Sequence, residues 1–600
     1  MEFGILRPFY FMNESLLEVI PAGGDARQDA LNRLRHSATH VMAQAVQELF
    51  PGTKLAIGPS VDDGFYYDFD CPHAFTPEDL EKIEARMREI AREGHAFVMS
   101  THDSKESRDL WEKRGEKYKV EMIDDLKSPT VTHCTHGTFT DLCRGGHMKS
   151  TADVRFFKLI KLAGSYWRGD EKRDRLQRIY GTAWPTEKEL QDYLVRVEEA
   201  KKRDHRELGP RLGLFMIDYD HGGAGFIYWL PKGAVIRRIL EDYLKDYLTA
   251  KGYDFVYTPH VAKSDLWKTS GHLSHYRENM FPAMELENQE FLLKPMNCPG
   301  HILIYKNNLH SYRELPIRYA EFGTVYRFER SGVLHGLMRV RGFTQDDAHV
   351  FCRPDQVEGE VSDILRIIVD VLTTFGFKEF EVNLSTQPKE SFGAPEQWES
   401  AQQGLKKALE NVGLPFQVDE GGGAFYGPKI DLKIKDALGR LWQCSTVQVD
   451  FNNPERFDIA FRDAQGGETK VIMIHRALFG SLERFFGVLI EHYAGAFPMW
   501  LSPVQAVVVP VGEKFNEYGS EVCALLRGKG FRVDADLSAG KLGAKVREAT
   551  LQKIPYMLVV GGREAENKTV SVRTREGQDL GVLSLADLEK LLSERVKARS

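Results

Sequence analysis

The densest run of chemically capable side chains lies between Arg318 and Phe351, RYAEFGTVYRFERSGVLHGLMRVRGFTQDDAHVF. It reads as two strands joined by a loop. Alternate strand residues share a face. On the first strand Arg327 and Glu329 point together. On the second, Arg339, Arg341, Phe343, Gln345, Asp347 and His349 line one face. The opposite face takes Val340, Gly342, Thr344, Asp346, Ala348 and Val350, which are small and mostly apolar. Guanidiniums grip phosphate with forked donors, a phenyl ring stacks on a planar group, and an amide with a carboxylate orients something small and polar. The face is suited to an anionic, planar ligand.

Two further constellations can do chemistry. His36 and His40 stand four apart in HSATH, one helical turn apart on one face. Cys143 and His147 repeat that spacing in DLCRGGH. The quartet suits zinc and equally suits hydrolysis through a bound water. Farther on, Gly480-Ser481 opens a helix whose first turn holds Glu483 and Arg484. A helix N-terminus with an arginine makes an anion site. Walker and GxGxxG strings are missing, so neither a P-loop nor a Rossmann nucleotide site is expected.

The elements that must position these groups belong to several domains, since 600 residues exceed what one core usually holds. Hydrophobic content of 42% and charged content of 28% describe a globular chain. A net charge of −7 gives no global pull toward nucleic acid. Seven cysteines make no disulfide scaffold and fit a reduced, cytoplasmic setting. MEFGILRPFYFM is too short for a signal peptide, and no apolar run approaches the ~20 residues of a membrane span. A helix is expected around His36 and His40. Thr76-Pro77-Glu78 reads as another helix start. Residues 155–178 interleave Arg and Lys with aromatics, as an RNA-backbone surface or a solvated helix face. Thr186–Glu189 is a capping box opening a charged linker helix. Gly233 to Tyr253 is an amphipathic helix running into DFVYTPH. Beyond residue 503, apolar strands alternate with helices, as in a small α/β domain with a mainly parallel sheet.

The Tyr-Arg-Phe-Glu strand and the Gly-Phe-Thr-Gln-Asp-Asp-Ala-His strand resemble motif 2 of the class II aminoacyl-tRNA synthetases, and within that class the threonyl family. The helix before Pro259 is similar to motif 1, the dimer interface of the class, and Ser481–Arg484 to motif 3. The resemblance implies an α+β and α/β multidomain chain: an antiparallel-sheet catalytic core (213–500), an α+β editing domain (31–185), a helical linker (186–212) and a C-terminal α/β anticodon-binding domain (503–600). Residues 1–30 are too few for the family's usual N-terminal β-grasp domain, which is expected to be absent or truncated.

KPMNCPGH, FTQDDAH and MIHRA match the segments that hold zinc in that family, implying ligands Cys298, His349 and His475 at the ends of separate strands, with a fourth position open. The resemblance further implies ATP on Arg327, Glu329, Arg339, Phe343, Gln443 and Arg484, with Mg²⁺, and threonine against Met296, Gln345, Asp347, Tyr426 and Gln448. Of these, Arg327, Arg484, Gln345 and Asp347 carry the catalytic roles. Editing of mischarged seryl-tRNA falls to His36, His40, Lys119, Asp141, Cys143 and His147, and anticodon contact to Glu564 and Arg573. The family usually has Pro where this chain has Gly146, and a polar run where it has Ser538, Ala539 and Gly540. Expected partners are tRNA(Thr), ATP, L-threonine and a second copy of the chain, with no membrane. The rival readings are a paralogue for another amino acid and an RNA-binding translational regulator that keeps the fold.

Overall fold

A computed structural model describes residues 26–600 apart from 62, 390 and 437. Most of the segment 1–30 lies outside the described residues. The chain forms two compact units that divide between Glu198 and Glu199, inside the helix Glu187–Arg203.

The first unit is built on helix α1 (Ala26–Leu49). Leu34, Ala38, Val41, Met42 and Ala45 recur at helical spacing and are buried. They pack on a five-stranded sheet that includes β1 (Gly64–Asp70). The first unit also holds helix α2 (Lys117–Leu126), and β2 (Thr130–His136) with β3 (Phe139–Leu142) in a separate three-stranded sheet. The basic–aromatic stretch is not a helix. It forms the antiparallel hairpin β4 (Phe156–Tyr166) and β5 (Arg175–Trp184), with Phe157, Leu159 and Ile179 buried. Arg178 turns inward and pairs with Asp68 at 2.5 and 2.6 Å, so the run offers less free positive surface than its composition suggests.

The second unit contains α3 (His205–Arg211), α4 (Pro231–Ala250), α5 (Cys298–Lys306), β6 (Ile317–Tyr326), β7 (Gly342–Cys352), β8 (Lys429–Lys435), β9 (Leu441–Asp450), β10 (Ile472–Ala477) and α6 (Leu482–Tyr493). The central strands run β6-β7-β10-β9-β8 in an eight-stranded sheet, all antiparallel to their neighbours. Ile236, Leu240, Leu244 and Leu248 of α4 join its core, as do Ala348 and Val350 of β7. The small, apolar face of β7 is therefore the core face, and its alternate face carries the polar row. Asp346, on the core face, is satisfied by the amides of Leu478 and Phe479.

Five of the residues read as strand lie outside it, Val340 among them. Arg327 and Glu329 follow β6, and Arg339 and Arg341 precede β7. Strand pairing stops at Tyr326–Gly342 because the chain leaves the sheet there: the Arg341 amide donates to Gly225 O at 2.7 Å, and Arg339 pairs with Glu329 at 2.8 Å.

The C-terminal sheet has five strands, two pairings parallel and two antiparallel, rather than being mainly parallel. The strand absent from the sequence reading is Asp579–Ser584, a largely exposed edge with little apolar alternation to announce it.

Candidate active site

His349 and His475 are register partners across β7 and β10. His349 Nε2 lies 2.9 Å from His475 Nδ1. Cys298 is the first residue of α5, and its sulfur joins them in a buried group whose donor atoms lie within 4.8 Å of one another. His475 is thus mid-strand and Cys298 begins a helix, where the sequence suggested strand ends. A cysteine and two imidazoles suit zinc. Burial, with His475 and His301 alongside, holds His349 well below the ordinary histidine range, so it is neutral. Burial pushes the Cys298 thiol up to about 12. Its ligand form, the thiolate, requires a cation beside it. The outer nitrogens are committed as well. His475 Nε2 is 2.8 Å from Asp450 Oδ2, and His349 Nδ1 is 2.8 Å from His301 Nδ1. His301 Nε2 in turn sits 3.2 Å from Glu321 Oε2. Such outer partners leave one nitrogen of each ligand ring facing inward, as in metal-bound histidines.

Near this group Asn297 Oδ1, Gln345 Nε2, Asp347 Oδ1 and Gln443 Nε2 are buried polar atoms without a hydrogen-bond partner. Each such atom costs about 1–3 kcal/mol unless a ligand or water satisfies it. Asp347 lies two residues before His349 on the same face, and Asn297 Nδ2 reaches it at 3.1 Å. Gln448, the cross-strand partner of His475, accepts from the Tyr426 hydroxyl at 2.9 Å. Met296, Cys298 and Tyr426 line a narrow pocket beside this row. Gln443 shares the row through a β-bulge opposite Leu432/Lys433, which breaks the alternation. Cys444 and Val447, three apart, consequently both join the core.

On the other side of the row stand three guanidiniums. Arg484, in the first turn of α6, donates to Met338 O at 3.1 Å and Gln443 O at 3.4 Å. Burial, and the charges of Arg339 and Arg327, pull Arg484 below its ordinary range. Cations that repel one another in a cleft favour a polyanion between them. The guanidinium of Arg327 lies 5.1 Å over the Phe343 ring.

The first unit carries the second constellation. Cys143 Sγ is 3.1 Å from His147 Nε2 and 3.5 Å from His36 Nε2, and His40 completes the group. Burial and the neighbouring His36 and His136 push His147 down to about 2. Burial lowers His36 and His40 too and raises Cys143 to about 12. All four are neutral, able to hold a metal ion or to take a proton from a bound water. Lys119 lies in the first turn of α2 and is buried. It pairs with Asp141 at 2.6 Å. Tyr67 bridges the two, donating to Asp141 at 2.6 Å and accepting from Lys119 at 3.1 Å. Gly146 stands at φ +84°, which a proline ring cannot adopt, so the loop carrying His147 depends on glycine here.

Comparison with known proteins bears on both sites. Residues 283–493 match the tRNA synthetase class II core domain (G, H, P, S and T), 505–595 the anticodon binding domain, and 131–180 the threonyl and alanyl tRNA synthetase second additional domain. The threonine–tRNA ligase of Acidithiobacillus ferrooxidans is 54% identical over 598 residues, covering 99% of this chain and 92% of that protein. The chain belongs to the threonyl-tRNA synthetase family. The threonine–tRNA ligase of Nitrosococcus oceani is also 54% identical, over 93% of this chain and 86% of that protein. The RNA binding domain of threonyl-tRNA synthetase from Cryptosporidium parvum has a TM-score of 0.63 and 44% identity, covering 65% of this chain and 98% of that chain.

As a threonyl-tRNA synthetase family member the chain is an enzyme with a class II core, an anticodon-binding domain and an editing-type additional domain. Within that frame three positioning residues had no separate sequence signal: Asp450, His301 and Glu321. His301 could have been suspected from its place in KPMNCPGH, three residues after Cys298 on one helix face. In the C-terminal domain Arg573 is exposed, while the Glu564 carboxylate accepts from the Gly561 amide at 2.9 Å and so also shapes its own helix start. Among the described residues no helix is long and apolar enough to cross a membrane.

Proposed function

We propose that this chain activates L-threonine with ATP, transfers it to tRNA(Thr), and hydrolyses mischarged seryl-tRNA(Thr) at a second site. The observation that carries this reading is one strand face on which Gln345 and Asp347, each with an unpartnered buried polar atom, stand between the end that meets the arginines and His349 of the Cys298–His349–His475 group. Arg327, Arg339 and Arg484 take the phosphates, Phe343 the adenine, and Glu329 with Gln443 the rest of the nucleotide, with Mg²⁺ accompanying ATP. Cys298, His349 and His475 would hold zinc, which would supply a Lewis acid for the amino and hydroxyl groups of threonine. Asp347 and Gln345 complete the orientation of threonine, against Met296, Tyr426 and Gln448. The threonine carboxylate oxygen bonds to the α-phosphorus as the bond to pyrophosphate breaks. The protein contributes alignment and charge stabilisation. The tRNA ribose hydroxyl then takes the acyl group and AMP leaves.

Valine is isosteric with threonine but lacks the hydroxyl, and a site committed to a hydroxyl rejects such an analogue by roughly 10⁴–10⁵. Serine keeps the hydroxyl and loses one methyl, worth only ~10–200-fold. The hydrolytic quartet of the first unit answers that remainder. We assign residues 31–185 to editing, 186–212 to the linker, 213–500 to catalysis and 503–600 to the anticodon, where Glu564 and Arg573 face the tRNA. A homodimer and a reduced cytoplasmic location complete the proposal; all seven cysteines are free. Amino-acid-dependent ATP–pyrophosphate exchange on zinc-replete protein tests it: strong with threonine, weaker with serine, none with valine. Exchange with valine, or none with any of the three, would overturn it.

His301 gives a separate expectation. His301→Ala removes the partner that holds His349 Nδ1, and zinc affinity should fall about 10–100-fold. Competition against a chromophoric chelator measures this directly, without reference to activity. Unchanged affinity would mean that β7 alone orients His349.

A further inference from the structure

His205 lies outside both constellations and is fully buried. It is the first residue of α3, with Asp204 as the N-cap. Its Nδ1 is 2.7 Å from Glu491 Oε1. Its Nε2 accepts the Leu337 amide at 3.0 Å. Both ring nitrogens are thereby committed, so the group Asp204–His205–Glu491 is no metal site despite its composition. The two bonds fix one tautomer, with the proton on Nδ1 toward the carboxylate and a bare Nε2 toward the amide.

The amide it holds belongs to the loop between β6 and β7. Arg339 is two residues farther on, and the next carbonyl, Met338 O, accepts from Arg484. Glu491 sits near the C-terminal end of α6, whose first turn carries Arg484. One helix therefore grips successive residues of the loop, through His205 from one end and through Arg484 at the other. Gly336 shows how closely the ring approaches. Its φ is +47°, and a Cβ there would lie 2.1 Å from His205 Nε2. Glu491 is further tied to Arg440 at 2.5 Å, so the carboxylate that orients His205 is itself held.

We propose that His205 is a positioning residue for the nucleotide: it locks the loop 331–341 in the form that presents Arg339 beside Arg484. This rests on the reading that those arginines take ATP phosphates. The histidine touches no reacting atom and acts through the loop backbone.

The test compares wild type, His205→Ala and His205→Gln. Glutamine has an acceptor for the Leu337 amide and a donor for Glu491, and alanine has neither. In threonine-dependent exchange, His205→Ala should raise the KM for ATP about tenfold, the scale of one lost hydrogen bond to a buried amide. The KM for threonine should stay within about twofold, and His205→Gln should recover most of the loss. Partial misfolding lowers the active fraction, hence kcat, and leaves KM for ATP where it was. Hydrogen exchange over residues 331–341, without ligand, should quicken in His205→Ala and return toward wild type in His205→Gln. An unchanged KM for ATP, or unchanged loop exchange, overturns the inference. Wild-type protein that shows no threonine-dependent exchange defeats the functional reading instead, and loop hydrogen exchange then decides the anchor alone.

Discussion

Cys298→Ala abolishes threonine-dependent ATP–pyrophosphate exchange and strips the protein of zinc. The expected loss is at least about a thousandfold, because a direct ligand goes rather than an outer partner worth ~10–100-fold. The site has little besides its three donors with which to hold a metal ion. His349 and His475 are neutral-imidazole donors fixed by His301 and Asp450, and they cannot close a tetrahedral site between them. Without the sulfur, the carboxylate of Asp347, buried with one oxygen unpartnered, faces a cavity with no cation to complement it. Burial already raises Asp347 above the ordinary carboxylate range, so it takes up a proton more readily and ceases to be a firm acceptor for the threonine ammonium. Zinc content by emission spectroscopy and exchange rate are read on the same preparation. Full exchange by a zinc-free variant would remove the metal from the proposal and leave Asp347 and Gln345 to select threonine alone.

The legible part of the site was the part that one period could carry. HSATH and DLCRGGH announced themselves through four-residue spacing, and the structure brings all four side chains together. Gln345, Asp347 and His349 announced themselves through strand alternation, and they do share a face. The same alternation, carried back to Arg339 and Arg341, overran the sheet, because where pairing stops is decided by the Gly225 carbonyl, distant in sequence. Gln443 could not be placed by parity, since a bulge intervenes before Gln448. Lys119 could be named only through the resemblance, because nothing local shows that Asp141 waits for it in the core. Local periodicity thus gives faces, while partners chosen across the chain give burial, tautomer and strand ends. His205 belongs wholly to the second kind: its two hydrogen bonds reach 132 and 286 residues away.

Replacing His36 and His147 together by alanine should leave threonine activation intact while seryl-tRNA(Thr) accumulates. The choice of variant follows from the charges. Lys119 and Asp141 form a buried ion pair, and removing one member strands the other at a cost of about 3–5 kcal/mol, which confounds editing with folding. His36 and His147 are neutral and stack with ring centroids 4.3 Å apart, so their loss leaves no orphaned charge. What it removes is the capacity to hold Cys143 and to take a proton from a bound water, two functions an ester hydrolase cannot replace with solvent alone. The wild type should release serine from preformed seryl-tRNA(Thr) and the double variant should not, while exchange with threonine stays within about twofold. Because the synthetic pocket separates serine from threonine by only ~10–200-fold, mischarging by the variant should be visible at comparable concentrations of the two amino acids. Deacylation by the variant at the wild-type rate would move hydrolysis away from this quartet, and it would leave the serine problem of the catalytic pocket without its remedy.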